Sequence, residues 1–216
     1  MWKAWLALIW STPARLSSRT ETGYICLTTL YLVRHGQTDW NIQGRWQGHA
    51  DIPLNAVGRQ QAEQIARSLA SAGLSALFSS DLQRAAATAE AVSTMTGLPV
   101  NYDPRLREIH QGEWQGLVMG EVEARYSDLL AHSKVDPLNV APPGGETVLE
   151  VRDRLVRAVE DICRRHPIER VALVSHGFAL ALIWVHYRNI PMLQVWDHIP
   201  PNVEYRVLEI PPRRLG

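Results

Sequence analysis

The chain has 216 residues, 46% hydrophobic and 20% charged, an ordinary globular composition that allows one good core or at most two small domains and is read as one. Twenty-two basic and 22 acidic side chains give a formal net charge of zero, so no global field draws in nucleic acid or an anionic membrane. The two cysteines, Cys26 and Cys163, have the spacing of neither a metal site nor a disulfide framework, which fits a reducing, cytoplasmic setting.

Residues 1–28 are expected to be a disordered or start-site extension, with an interfacial anchor and a signal peptide as alternatives. Trp2, Trp5 and Trp10 surround an apolar run too short to span a bilayer, and no small-x-small cleavage site follows. The domain proper is placed at 29–210, with a short tail at 211–216. Leu30-Tyr31-Leu32-Val33 reads as a strand buried on both faces, ending in Arg34-His35-Gly36. In open α/β sheets ligands bind at the carboxyl ends of strands, which would aim Arg34 and His35 into a crevice. Alone, such a tripeptide also reads as a hydrogen-bonded loop histidine beside a surface arginine.

A long loop is expected next, through Asn41, Arg45, Gln47, His49 and Asp51 to Pro53. Asn55 caps a helix with Ala62, Ile65, Ala66, Leu69 and Ala70 on one face and Gly73 near its stop. The strand Ala76–Ser79 leads to Asp81, read as the cap of a helix whose small-residue face is Ala85, Ala89 and Val92 and which ends at Gly97 and Pro99. Leu106–Ile109 reads as extended, Val118 to Leu130 as helical, and Pro137 to Gly145 as a linker-like loop and lid candidate. Thr147-Val148-Leu149-Glu150 is a capping box opening an amphipathic helix with Val148, Val151, Leu155, Val159 and Ile162 at helical spacing, stopped by His166-Pro167. The strand Val171–Ser175 runs into His176-Gly177, then an apolar helix over 178–187, and 203–209 alternates like an antiparallel edge strand. Strands alternating with crossover helices predict a three-layer α/β/α sandwich with a mostly parallel sheet, in which three strand ends meet at one crevice.

Six separated motifs, in order, carry a family resemblance: RHGQTDWN, QGHADIPLNAVGRQQA, SSDLQRAAATAE, LREIHQGEWQG, PGGET and SHG. From about Leu30 to Glu209 the chain resembles the histidine phosphatase superfamily, the phosphoglycerate-mutase-like proteins. The resemblance implies that His35 is the phosphorylated histidine, that Arg34, Asn41, Arg84 and His176 hold the phosphate, with Gly177 beside them, and that Glu108 is the acid. Gln47 matches a further substrate-side position. Glu146 matches a family motif, with capping or lid placement as its other readings.

These residue types suit phosphoryl transfer, which asks a protein mainly for position and positive charge. Arginine forks grip phosphate oxygens in pairs, so Arg34 and Arg84 form the clamp, and their charge disfavours the imidazolium form of His35, keeping it nucleophilic. A carboxyl beside phosphate is favoured in its protonated form, so Glu108 can protonate a leaving alkoxide and then activate water, with Glu113 as competitor. The stretch between Glu108 and His176 lacks the long insertion of cofactor-dependent mutases and looks more like broad-specificity phosphatases and α-ribazole phosphatase. The expectation is therefore a cofactor-free, metal-free phosphomonoesterase of the histidine acid type acting on a small phosphorylated metabolite, without nucleic acid or stable membrane insertion; a homodimer is compatible. The alternatives are phosphoglycerate mutase activity, a catalytically silent phospho-ligand binding protein, and a metal site on His35, His49 and His176. The remaining histidines read as surface or packing residues, and the tryptophans beyond the N-terminus as core or pocket wall.

Overall fold

A computed structural model describes residues 27–202 and 204–211, so the expectation for the N-terminal extension lies outside the described residues apart from its last two positions. The elements in chain order are β1 (Thr28–Arg34), α1 (Asp39–Gln43), α2 (Ala56–Leu69), β2 (Ala76–Ser79), α3 (Gln83–Thr96), β3 (Val100–Tyr102), α4 (Met119–Arg125), α5 (Ser127–Val135), α6 (Val148–Arg165), β4 (Arg170–Ser175), α7 (Gly177–Tyr187) and β5 (Tyr205–Ile210). The sheet order is β3-β2-β4-β1-β5, parallel throughout except for β5, which runs antiparallel to β1 at the edge.

Side chains alternate across a strand, so each strand feeds both faces. Leu30 and Leu32 of β1 join Phe78, Val171, Leu173 and Leu208 against α6 and α7. Val33, Leu77, Ala172 and Val174 face α2 and α3, whose Ala66, Ala85 and Ala89 are small enough to let the two helices lie close to the sheet. Except for Ala70, which lies past the end of α2 and is exposed, these faces are the ones the periodicity predicts: α6 buries all five of its spaced apolar residues, and its Thr147 Oγ1 accepts the Glu150 N–H while Glu150 Oε2 accepts the Thr147 N–H at 2.8 Å. Asn55 likewise caps α2, its Oδ1 accepting the Gly58 N–H at 2.8 Å.

Register sets the level of the strand ends. Arg34 pairs with Ser175 and Ser79 with Val174, so β1, β2 and β4 stop within one residue of each other. The following residues, His35, Ser80 and His176, therefore start from one rim.

Several local expectations are corrected. The long loop after β1 contains the helix α1, capped by Thr38. Asp81 does not cap α3; its carboxylate takes a two-pronged ion pair from Arg107, at 2.7 and 2.5 Å, and the cap comes from far away in sequence. Asp51 accepts the Gln83 backbone N–H at 2.7 Å and its side-chain amide at 3.0 Å. The stretch read as extended at Leu106–Ile109 instead begins with a 3₁₀ turn at Pro104–Leu106, while β3 just before it is a three-residue edge strand with one apolar side chain, too short for a period to show. The helix expected over 118–130 is two, broken where Tyr126 leaves the helical region at φ −133°, ψ 36° and its hydroxyl donates to Glu113. The last strand starts two residues later than expected, and Thr28 already belongs to β1. Among the described residues no helix is long and apolar enough to cross a membrane.

Candidate active site

His35 follows β1 and is fixed by three backbone contacts. Its N–H donates to Ser175 O at 3.1 Å, its carbonyl accepts from Asn202 Nδ2 at 2.9 Å, and its ring Nδ1 meets the Gly36 carbonyl at 2.6 Å. A carbonyl can only accept, so Nδ1 carries the proton and Nε2 keeps its lone pair, with no hydrogen bond among the described residues. Glycine at 36 is a packing requirement: a Cβ there would lie 2.3 Å from Gly58 O at the start of α2. Burial, then the Arg84 and Arg34 charges, push the His35 pKa well below 6.5. The ring is neutral as expected, but desolvation rather than the arginines is the leading cause.

His176, fully buried, stands edge-on to His35 with ring centroids 5.2 Å apart. Its Nε2 is 2.8 Å from Ser80 Oγ, which already accepts the Leu82 N–H and so has its own proton to give. We assign the ring proton to Nδ1, which is buried without a partner. The pKa is again far below the usual range, by burial first and then by Arg84 and His35.

Arg84, in the first turn of α3, is fully buried, with Nη1 donating to Ala50 O and Nη2 to Gly48 O, both at 2.8 Å. Arg34 donates from Nη1 to Pro200 O at 2.5 Å. The Nε of each is buried and unpartnered. Burial lowers both pKa values, that of Arg84 to about 10, which leaves both cations at neutral pH. Two guanidinium Nε–H donors and an imidazole N–H, all desolvated and unsatisfied, are what a tetrahedral anion would complete. Gly177 leaves room for this: a Cβ at that position would lie 3.1 Å from Arg34 Cζ.

Glu108 sits where α7 begins. Its Oε1 accepts the Ile109 and Ala179 N–H groups and its Oε2 the Phe178 N–H, all at 3.0 Å. The first turn of α7 thus orients this carboxylate, with one lone pair open on Oε2. The competitor Glu113 is exposed, bonded to Tyr126 and outside the cavity. Asn41 lines the cavity while its Oδ1 accepts the Thr38 N–H and hydroxyl, which leaves its Nδ2 as the free end. Gln47 also lines the cavity, with a buried Oε1 that has no partner.

The contacts of two further residues, Arg154 and His49, went unread in the sequence. Arg154 of α6 grips Glu146 Oε1 and Oε2 at 2.7 and 2.8 Å and donates to the carbonyls of Arg105, Arg107 and Glu108 at 2.7–2.9 Å. It ties the acid loop to the body of the domain, and gives Glu146 a role as anchor rather than cap. His49, set down as a surface or packing residue, meets the Glu108 carbonyl from Nε2 at 2.8 Å and stacks edge-on against His110 at 4.6 Å. The 110–116 loop is pinned to the lid candidate by Glu113 N–H to Pro143 O and Glu146 N–H to His110 O. Gly112 makes that approach feasible at φ +48°, where a Cβ would come within 2.0 Å of Pro143 O.

All expected site residues except His176 line one cavity of about 470 Å³, and the His176 ring lies beside that of His35. Among the described residues no group of three His, Cys, Asp or Glu side chains is spaced to hold a metal ion. The model of the "Histidine phosphatase superfamily (branch 1)" matches residues 30–215. The chain belongs to this family. It is 30% identical to phosphoserine phosphatase 1 of Hydrogenobacter thermophilus over 188 residues, 87% of this chain and 89% of the relative. It is 35% identical over 174 residues to phosphoglycerate mutase-like protein 4 of Arabidopsis thaliana, 79% and 76% of the two chains. The fold superposes on the α-ribazole phosphatase from Shigella flexneri with a TM-score of 0.77 and 26% identity, covering 83% of this chain and 89% of that one.

Proposed function

We propose that this member of the histidine phosphatase superfamily hydrolyses phosphomonoesters of small metabolites through a phosphohistidine on His35. The carrying observation is the Gly36 carbonyl on His35 Nδ1, which leaves a neutral Nε2 lone pair on a residue that shares its cavity with Arg34 and Arg84, each with an unpartnered Nε–H, and that has the unpartnered Nδ1–H of His176 on the neighbouring ring. In the first step Nε2 attacks phosphorus, a P–N bond forms and the ester P–O bond breaks, while the leaving oxygen takes a proton held on Glu108 Oε2. The ring becomes a cationic phosphoimidazolium, and the Gly36 carbonyl facing Nδ1–H offsets that charge, as a carboxylate does in a hydrolytic triad. Arg34, Arg84 and His176 Nδ1–H, helped by Asn41 Nδ2, hold the equatorial oxygens as charge builds on them. In the second step the Glu108 carboxylate takes a proton from water, water oxygen attacks phosphorus, the P–N bond breaks, and phosphate and neutral His35 are regenerated. Gln47 orients the substrate side, and Gly177 keeps the Arg34 guanidinium in place.

The reading is tested with p-nitrophenyl phosphate. His35→Ala is expected to cost on the order of 10⁴-fold or more in kcat while circular dichroism stays unchanged, and the native enzyme should keep its rate in EDTA because arginines carry the charge-neutralising role. Substantial turnover by His35→Ala removes the nucleophile assignment, and loss on chelation with rescue by a divalent ion points to metal-assisted hydrolysis.

A further inference from the structure

The proposed phosphate site occupies one end of the cavity, and the rest of the wall has a different chemistry. Trp46, Trp114, Leu130, Pro142, Phe178 and Trp196 are among the apolar side chains that line it. One further cation, Arg45, reaches this part, and its guanidinium is partly engaged: Nε donates to Gln43 Oε1 at 2.9 Å, Nη1 to Gly116 O at 2.6 Å, and Glu121 lies 3.5 Å away. Lys134, the one lysine among the described residues, does not line the cavity. Glu146 does line it, and its carboxylate is held in the fork of Arg154. A second anionic group on a substrate would lose water against indole and aliphatic carbon, face Glu146, and meet one cation, Arg45, that already has the Glu121 carboxylate beside it.

Resting on the phosphomonoesterase reading above, we propose that the organic group of the substrate is uncharged and largely apolar, of the aromatic or long aliphatic class, and carries no carboxylate. Such a group gains from the area it removes from water, and the cavity is large enough to hold one beside the phosphate. This separates the chain from relatives whose names carry phosphoserine or phosphoglycerate.

The test compares three phosphates of primary alcohols, so that leaving-group basicity stays nearly constant: 3-phenylpropyl phosphate, glycerol 3-phosphate and 3-phosphoglycerate. The expected kcat/KM falls in that order, with at least about tenfold between the first and the last. Trp196→Ala, at a side chain 43% exposed and so removable without a core cavity, should narrow the ratio of the first to the second severalfold. Equal or faster turnover of 3-phosphoglycerate overturns the substrate class. Turnover of p-nitrophenyl phosphate reports separately on the hydrolytic reading. Calorimetry on His35→Ala with 3-phenylpropylphosphonate and 3-phosphonopropionate reads preference without any chemistry. Tighter binding of the phenyl compound is expected, and equal or tighter binding of the carboxylate overturns the inference even where hydrolysis fails.

Discussion

The two ends of the cavity are built differently. At the charged end each side chain is held from several directions: Arg84 by two loop carbonyls, His35 by Ser175, Asn202 and Gly36, Glu108 by three amides of its own loop and α7. His35 stands at the end of a central strand, Arg84 in the first turn of α3 and Glu108 in the loop against the start of α7. At the apolar end the wall comes partly from α4 and α5, of which α4 buries one residue and α5 none, and partly from exposed positions such as Met119 and Trp196. Groups that must meet developing charge are preorganised by contacts that would all have to break together, whereas a wall that only excludes water can be thin and adaptable.

The difference can be broken most forcefully at Glu108. If it protonates a leaving alkoxide, Glu108→Gln should slow hydrolysis of an alkyl phosphate by about 10²- to 10⁴-fold and that of p-nitrophenyl phosphate far less, since nitrophenolate leaves without help. The comparison holds when phosphorylation limits the rate. Equal slowing of both substrates would place the limiting role of Glu108 in dephosphorylation, and no effect on either would remove it from the mechanism.

Next comes the contrast in stability. Arg154→Met deprives Glu146 and three backbone carbonyls of their donor and should cost about 3 kcal/mol in urea unfolding, with a fall in kcat from the loosened Glu108 loop. Leu130→Ala, on the helix that buries nothing, should cost less than about 1 kcal/mol. Comparable costs at the two positions would erase the distinction between a tied end and a thin wall.

The smallest effect is a pH dependence carried by the charged end. Both His35 and His176 have native pKa values far below 6.5, by burial first and by arginine charge second. The unfolded chain takes up a proton on each below about pH 6.5 and the native state refuses it, so this stability is complete above pH 6.5 and is lost as the pH falls from there towards the native values. The slope approaches about 1.4 kcal/mol per pH unit for each histidine. Urea midpoints at pH 7.5, 6.5 and 5.5 should drop over the last interval, and the double variant His35→Gln, His176→Gln should flatten the drop. An unchanged profile in that variant would show that the two rings do not carry it.

Much of this was legible in the sequence where the signal is local. Asn55 and the Thr147–Glu150 box mark real helix starts because a cap is a contact between neighbours three residues apart, and the α6 stripe is a period of one helix. The strand-end pairs Arg34-His35 and Ser175-His176 announced themselves by a switch from apolar to polar at the sheet rim. What was lost depends on partners distant in the chain. Asp51 capping α3 has no trace in either segment, and Arg154 looks like any other arginine on an amphipathic helix that also carries Arg152, Arg157, Arg164 and Arg165. His49 could be placed beside Glu108 only once the loops were folded together. The break between α4 and α5 falls at Tyr126, whose hydroxyl donates to Glu113 thirteen residues earlier, a contact that no helical period records.

The most direct measurement is a rapid quench of enzyme mixed with a ³²P-labelled phosphomonoester, followed by peptide mapping under alkaline conditions that preserve phosphohistidine. A burst of label is expected, stable to base and labile to acid, confined to the peptide containing His35 and absent from His35→Ala. Label on another residue, or full turnover with no protein-bound phosphate at any time point, would contradict covalent catalysis by His35.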